Sequence, residues 1–216
     1  MILKNKHHSA FTMIELLFVI VVIGILASLA IPRMDRDIRQ EAADNILSSI
    51  RYTQHMALTD NKTDPFDGNW QKEFWQIRFS TTTTTNYIFY LIGSDTSHAG
   101  GIGKAESAID PANGKYLYHL NTEPELLSDE SSNLLIGKLY DVTSINGAGG
   151  CTDIQYIGFD QLGRPHTTFS TNNVPNYKSY INSDCNLTFN SASFDAFTII
   201  ISKETGYAYI DGQPDS

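Results

Sequence analysis

The chain of 216 residues is short of cysteine, of proline and of positive charge. Two cysteines cannot make a four-cysteine zinc site, and they are too few to staple a small disulfide scaffold. Fifteen Lys and Arg stand against 24 Asp and Glu, a formal net charge of -9. That balance argues against direct nucleic-acid binding, because neutralising phosphates needs clustered cations. A mean hydropathy of -0.21 excludes a polytopic membrane protein. Nucleophile-elbow glycines around a serine are missing as well. His55, His98, His119 and His166 are scattered without the paired spacing of metal ligands. The length and the 41% of hydrophobic residues suit one compact domain with an appendage.

Apolar residues are instead concentrated in one block, from Phe11 to Pro32, which holds a single charge, Glu15. As a helix its 22 residues would reach about 33 Å, enough for a bilayer core of about 30 Å. Lys4, Lys6, His7 and His8 precede it with no acid among them. Positive charge on that side predicts a cytoplasmic N-terminus and a translocated remainder. After Pro32 the chain turns polar at Arg33, Asp35, Arg36, Asp37 and Arg39.

Hydropathy leaves three ordinary readings open. Ser28-Leu29-Ala30 fits the small-x-small site of a secretory signal peptide, which would leave Ile31 as the new terminus. A plain uncleaved anchor carrying a binding module fits equally well. Glu15 is then an accidental charge near the cytoplasmic end. Against accident, a carboxylate at the centre of a membrane helix costs about 2.5–3.5 kcal/mol, less near the interface, and calls for a cationic partner. Cleavage after Ala10 would create one. The new α-amino group of Phe11 lies one helical turn from Glu15, in the same chain or in a neighbour.

The run Ala10, Phe11, Thr12, Met13, Ile14, Glu15, Leu16, Leu17 and the apolar stretch after it resembles the cleavage and methylation motif of type IV prepilins and type II secretion pseudopilins. The resemblance implies a basic leader, residues 1–10, removed between Ala10 and Phe11 by a prepilin peptidase that also N-methylates Phe11. It makes Glu15 the glutamate that aligns an incoming subunit with its neighbour's terminal amine. Gly24 and Pro32 fall where the family's helix carries a glycine and a proline, residues that weaken helix propensity and permit bending. Ala10 departs by one methyl group from the glycine usual at that position.

Beyond Pro32, Ile38, Ala42, Ile46 and Ile50 recur every four residues beside Ala43, Leu47 and Ala57. That stripe predicts a helix over about 33–58 with one face on a sheet. Predicted strands are 74–79, 87–92, 115–120, 134–142, 154–159, 166–169, 197–202 and 207–210, the last two a hairpin. Residues 93–113 and 122–133 read as exposed loops. The expected fold class is α+β: a long N-terminal helix, half transmembrane and half amphipathic, packed on antiparallel sheets. The corresponding domains are the leader 1–10, a membrane or filament-core helix 11–32, and a pilin-like periplasmic domain 33–216. Segments 47–57, 156–165 and 197–210 are loosely similar to H-type minor pseudopilins and FimT-type minor pilins. Core packing explains them equally well.

Cys151 and Cys185 lie on the side expected to be oxidising, which favours a disulfide over two buried thiols. Many type IV pilins close a loop in this way, although H-type pseudopilins usually do not. Asp60, Asp64 and Asp67 gather oxygens in one loop, but helix-ending turn chemistry explains them better than calcium. Asn186 and Asn61 match glycosylation acceptor patterns, with Asp184 two before Asn186 and Cys185 inside that motif. Gly100, Gly101, Gly103 and Lys104 mimic a phosphate loop, yet His98 and Ala105 occupy two of its defining positions. The expectation is a non-enzymatic filament subunit without cofactor or metal, single-pass in the bacterial inner membrane. Its expected partners are the prepilin peptidase, other pilins, an assembly platform with its ATPase, and secreted cargo. The rival from another class is a secreted hydrolase or binding protein with a cleaved signal peptide.

Overall fold

The apolar run and the stripe that follows it form a single element, α1, Met13–Thr59. The computed structural model of the protein describes residues 12–169 and 174–216, and over residues 27–37 only the backbone of α1. The chain divides into two compact units between Asp37 and Ile38.

In the second unit, the predicted stripe becomes the buried face of α1. Ala42, Ala43, Ile46, Leu47, Ile50 and Ala57 are buried, while Ile38 sits at the margin. Thr53 is buried among them, its hydroxyl donating to the Ser49 carbonyl at 2.8 Å, so no polar group is stranded. Glu41, Asp44 and Ser48 point to solvent. The helix ends at Thr59, one residue past the expected Leu58.

Two four-stranded antiparallel sheets follow. The first has the order β2-β1-β4-β5, from β1 (Trp75–Thr81), β2 (Ile88–Gly93), β4 (Ile157–Phe159) and β5 (Pro165–His166). The second has the order β3-β6-β7-β8, from β3 (Val142–Gly149), β6 (Cys185–Ser191), β7 (Phe197–Ile201) and β8 (Ala208–Ile210). Ile77 faces Ile92 and Phe79 faces Tyr90 in the first sheet; Leu187 faces Ile199 and Phe189 faces Phe197 in the second. The Phe189 and Phe197 rings stack with centroids 5.1 Å apart. One hydrophobic cluster joins the face of α1, both sheets and Leu134, Leu135 and Ile136. The protein is α+β, its helix packed on antiparallel sheets.

Polar contacts fix how α1 meets each sheet. The Ser49 hydroxyl donates to the Tyr90 hydroxyl on β2 at 2.8 Å, and Arg51 donates to the Ala208 carbonyl on β8 at 2.7 Å. The Gln54 side-chain amide donates to the carbonyls of Gly163 at 2.9 Å and Thr205 at 2.8 Å, tying two turns to the helix. Gly206 sits in the second of these turns with φ +67, and a Cβ there would lie 2.0 Å from the Gly163 carbonyl oxygen. The three segments loosely similar to minor pilins and pseudopilins therefore converge on Gln54.

Several elements differ from the sequence reading. Leu134–Val142 is not a strand: it winds through a 3-10 turn, Ser132–Leu134, and a short helix, α2 (Ile136–Leu139), before β3 begins at Val142. Leu134, Leu135 and Ile136 are all buried, which alternating strand geometry would not allow on one core face. Lys115–Leu120 forms only isolated bridges at Tyr116, with the Leu117 carbonyl accepting from Ile92 at 3.0 Å. The loops 93–113 and 122–133 are not wholly exposed, since Ile102, Ala108, Asp110 and Glu130 are buried. β3 and β6 have no counterpart in the sequence reading.

Cys151 and Cys185 form a disulfide, with Cα atoms 4.8 Å apart. It closes the end of the β3–β6 ladder, where Gly149 faces Cys185. The bridge spans a sequence separation of 34, for which loop entropy gives about 4 kcal/mol. The double variant Cys151→Ala/Cys185→Ala should lose about that much unfolding free energy in urea titration. Wild-type protein in reductant should fall to the same value. Equal midpoints with and without reductant would show that the bridge contributes nothing.

Candidate functional site

Helix α1 starts from Thr12, whose hydroxyl accepts the backbone N–H of Glu15 at 3.3 Å while its carbonyl accepts from Leu16 at 3.1 Å. Thr12 and Glu15 have the spacing of a capping box, a signal readable in the sequence and missed there. Glu15 occupies the first helical turn, where the helix dipole favours negative charge. From Met13 to Leu26 the large apolar side chains are exposed, between 39% and 89%. Gly24 interrupts them, and a Cβ there would touch nothing within 4 Å. Exposed apolar side chains all around a helix are stable only in lipid or against other helices.

Ala10 and Phe11 lie outside the described residues, as does the side chain of Pro32. Among the described residues no helix is long and apolar enough to cross a membrane. The described apolar side chains stop at Leu26, and the last part of the predicted span, residues 27–32, is described as backbone alone.

Other residues singled out by sequence are placed in the second unit. Asn186 is half-buried within β6, paired with Ala148 on one side and Ile200 on the other. The Asp184 carboxylate accepts the Lys203 N–H at 3.0 Å. Asp60 accepts the Trp75 indole N–H at 2.9 Å and pairs with Lys62, while Asp64 and Asp67 accept the backbone N–H groups of Phe66 and Asn69. These three carboxylates thus hold turns. In the glycine-rich loop, Asp95 accepts from Ala99 and Gly100, and Glu106 accepts from Ser97 and Gly103. The amides that would cradle a phosphate are occupied by the chain's own carboxylates.

The fold also assembles a serine, a histidine and an aspartate that sequence reasoning did not connect. His166 places Nδ1 2.8 Å from the Ser179 hydroxyl and Nε2 3.2 Å from an Asp160 oxygen. All three are buried, and the Phe74 ring lies 4.9 Å from the His166 ring. Asp160 also accepts the N–H groups of Leu162 and Arg164 at 2.9 Å and pairs with the Arg164 guanidinium at 2.7 Å. The array holds the 160–164 turn, β5 and residue 179 together, and it presents no serine oxygen to a substrate.

Residues 5–31 match the family model described as the Prokaryotic N-terminal methylation motif, the signature of type IV prepilins and pseudopilins. The motif implies processing by a prepilin peptidase and assembly with other pilins, and with it a structural, membrane-anchored or surface role. No curated protein and no solved structure matches the chain.

Burial pushes the Asp160 carboxyl up, but hydrogen bonds from His166 and Arg164 outweigh it and hold the group at about 2, below its ordinary 3.8. A carboxyl depressed by folding stabilises the native state above its unfolded value, and that stabilisation is lost as pH falls through the folded value. Between pH of about 4 and 2 the wild type should lose about 2 kcal/mol from this group. Asp160→Asn should start less stable and show a shallower decline across the same window, measured by urea unfolding. Parallel declines would remove Asp160 as the source.

Proposed function

We propose that the chain is a minor pilin or pseudopilin, a structural subunit of a type IV filament-type machine, either a type II secretion system or a type IV pilus. A prepilin peptidase cuts between Ala10 and Phe11 and methylates the new terminus. The apolar segment 11–32 then holds the subunit in the bacterial inner membrane, with the acidic globular unit on the periplasmic side. An assembly platform and its ATPase move it into a short filament. The helices pack through their apolar surfaces, and Glu15 meets the terminal amine of a neighbour.

The observation that carries this reading is the motif over residues 5–31, set on a helix whose side chains from Met13 to Leu26 are exposed and apolar but for one acid, Glu15, at the capped start. The cost of taking Glu15 into a membrane makes sense when every subunit brings both the carboxylate and the cation that neutralises it. The disulfide fits a globular unit that matures in an oxidising compartment. With helix packing and charge pairing as the working chemistry, the subunit needs no catalytic residue and no cofactor. The globular surface is left to meet filament neighbours or secreted cargo.

Mass spectrometry of the mature protein from its native host separates the readings. An N-methylated Phe11 is expected. Ile31 at the terminus would indicate a signal peptide, and a retained Met1 an uncleaved anchor; either result sinks the proposal. Glu15→Ala should still be cut at Phe11, yet its recovery in sheared filaments should fall at least about tenfold, the effect of a lost pairing of about 1.4 kcal/mol or more. Full incorporation of that variant would leave Glu15 without the aligning role.

A further inference from the structure

Among the described residues, one cluster outside α1 combines an imidazole with buried carboxylate oxygens that accept no hydrogen bond. His119, Glu123 and Glu130 lie on the long connection between β2 and α2 and offer three ligand atoms within 4.8 Å of one another. The side chains of His119 and Glu130 are both 0% exposed. His119 Nε2 donates to the Glu123 backbone carbonyl at 3.2 Å, and Nδ1 faces Glu130 Oε2 at 2.9 Å. That Glu130 oxygen also accepts the Leu127 N–H at 3.2 Å. Glu130 Oε1 is buried without a hydrogen bond; its cationic neighbour is Lys104, 3.5 Å away, which also pairs with Asp129 at 2.7 Å. Glu123 Oε2 is likewise buried and has no partner.

Ion pairs with His119 at 2.9 Å and Lys104 at 3.5 Å account for the two oxygens of Glu130. They leave unexplained why Glu123 turns a second carboxylate into the same enclosed space, where an unmatched negative charge is costly. A divalent cation explains the arrangement. Donation of one ring N–H to a backbone carbonyl, with the other nitrogen turned toward carboxylates, is the outer support usual for a metal-bound histidine. His119 and Tyr118 also border a cavity of about 280 Å³ with Phe89 and Ile102.

We propose that His119, Glu123 and Glu130 form a zinc-type divalent metal site, bound through Nδ1 of His119 and one oxygen from each glutamate, with water completing the shell. One nitrogen and two carboxylates suit zinc or a similar transition ion. Calcium takes six to eight oxygens and magnesium a near-octahedral oxygen shell, neither of which this cluster supplies. A tetrahedral zinc shell sets ligand atoms about 3.4 Å apart, so the His119–Glu130 contact at 2.9 Å must open slightly while Glu123 moves in. Glu123 is the member free to do so, being half-buried and held by no side-chain hydrogen bond. Metal would then fasten residues 119, 123 and 130 to one another and lock a long connection that has few regular elements of its own.

The test uses the full chain in detergent, stripped of metal and carrying His7→Ala and His8→Ala to remove the leader imidazoles. Zinc is titrated in competition with a chromophoric chelator, and calcium in a parallel arm. One equivalent of zinc should bind and raise Tm, with calcium failing to compete at equal concentration. Glu123→Gln, a substitution at a half-buried position, should weaken zinc binding at least about tenfold. His98→Gln, which alters the partly exposed Asp67–Glu73–His98 cluster instead, should leave it unchanged. The proposal is overturned by the absence of a stoichiometric zinc site, by equal affinity in Glu123→Gln, by loss in His98→Gln alone, or by a preference for calcium.

Discussion

Ala42, Ala43, Ile46, Ile50 and Ala57 line one face of α1, and both four-stranded sheets depend on that face for a shared core. The alanines let backbone come close, while each fully buried isoleucine contributes about 1.5–3 kcal/mol relative to exposure. Apolar contact alone would leave the helix free to slide or turn against the sheets. Ser49, Arg51 and Gln54 remove that freedom by bonding Tyr90 of one sheet, Ala208 of the other, and the turns at Gly163 and Thr205. A single helical segment therefore supplies both the cohesive energy and the alignment of the second unit.

What the sequence made legible follows from how local each signal was. The α1 stripe repeats every turn, and β2, β7 and β8 are short runs dominated by aromatic or β-branched residues. β6 was hidden although its alternation is regular: Cys185, Leu187 and Phe189 point inward, but the outward Asn186, Thr188 and Asn190 read as loop chemistry. β3 was hidden by Gly147 and Gly149, which weaken any strand signal. The apolar run from Leu134 was ambiguous in kind, because short buried helices and strands share a composition. The N-terminal motif stood out because its parts are contiguous and chemically odd. His119 and Glu130 could not stand out, since a loop without periodicity carries them together across eleven positions.

The acidic excess also gains a physical meaning. Several carboxylates serve the interior as acceptors for loop amides rather than as surface charge. Glu106 receives Ser97 at 2.6 Å and Gly103 at 2.7 Å, and although burial pushes it up, these bonds hold its carboxyl below the ordinary range. Asp110 receives Ala112 and Asn133, both at 2.8 Å. Asp160 does the same for its own turn. Connections with little regular structure are thereby held to defined paths without enlarging the hydrophobic core.

The sheet margins show a further consequence. An open margin invites pairing with a foreign strand, and three of the four are occupied from within. Ile92 on β2 bonds Leu117 and Ala108, β5 bonds residues 179 and 181, and β8 is capped by Arg51 and Ser216. Among the described residues β3 lacks such cover, but it is bulged between Val142 and Ser144 and displays Thr143, Ser144, Asn146 and two glycines. A strand so interrupted and so polar is a poor template for growth. Among the described residues the fold thus leaves no long, regular sheet edge on which a foreign strand could add.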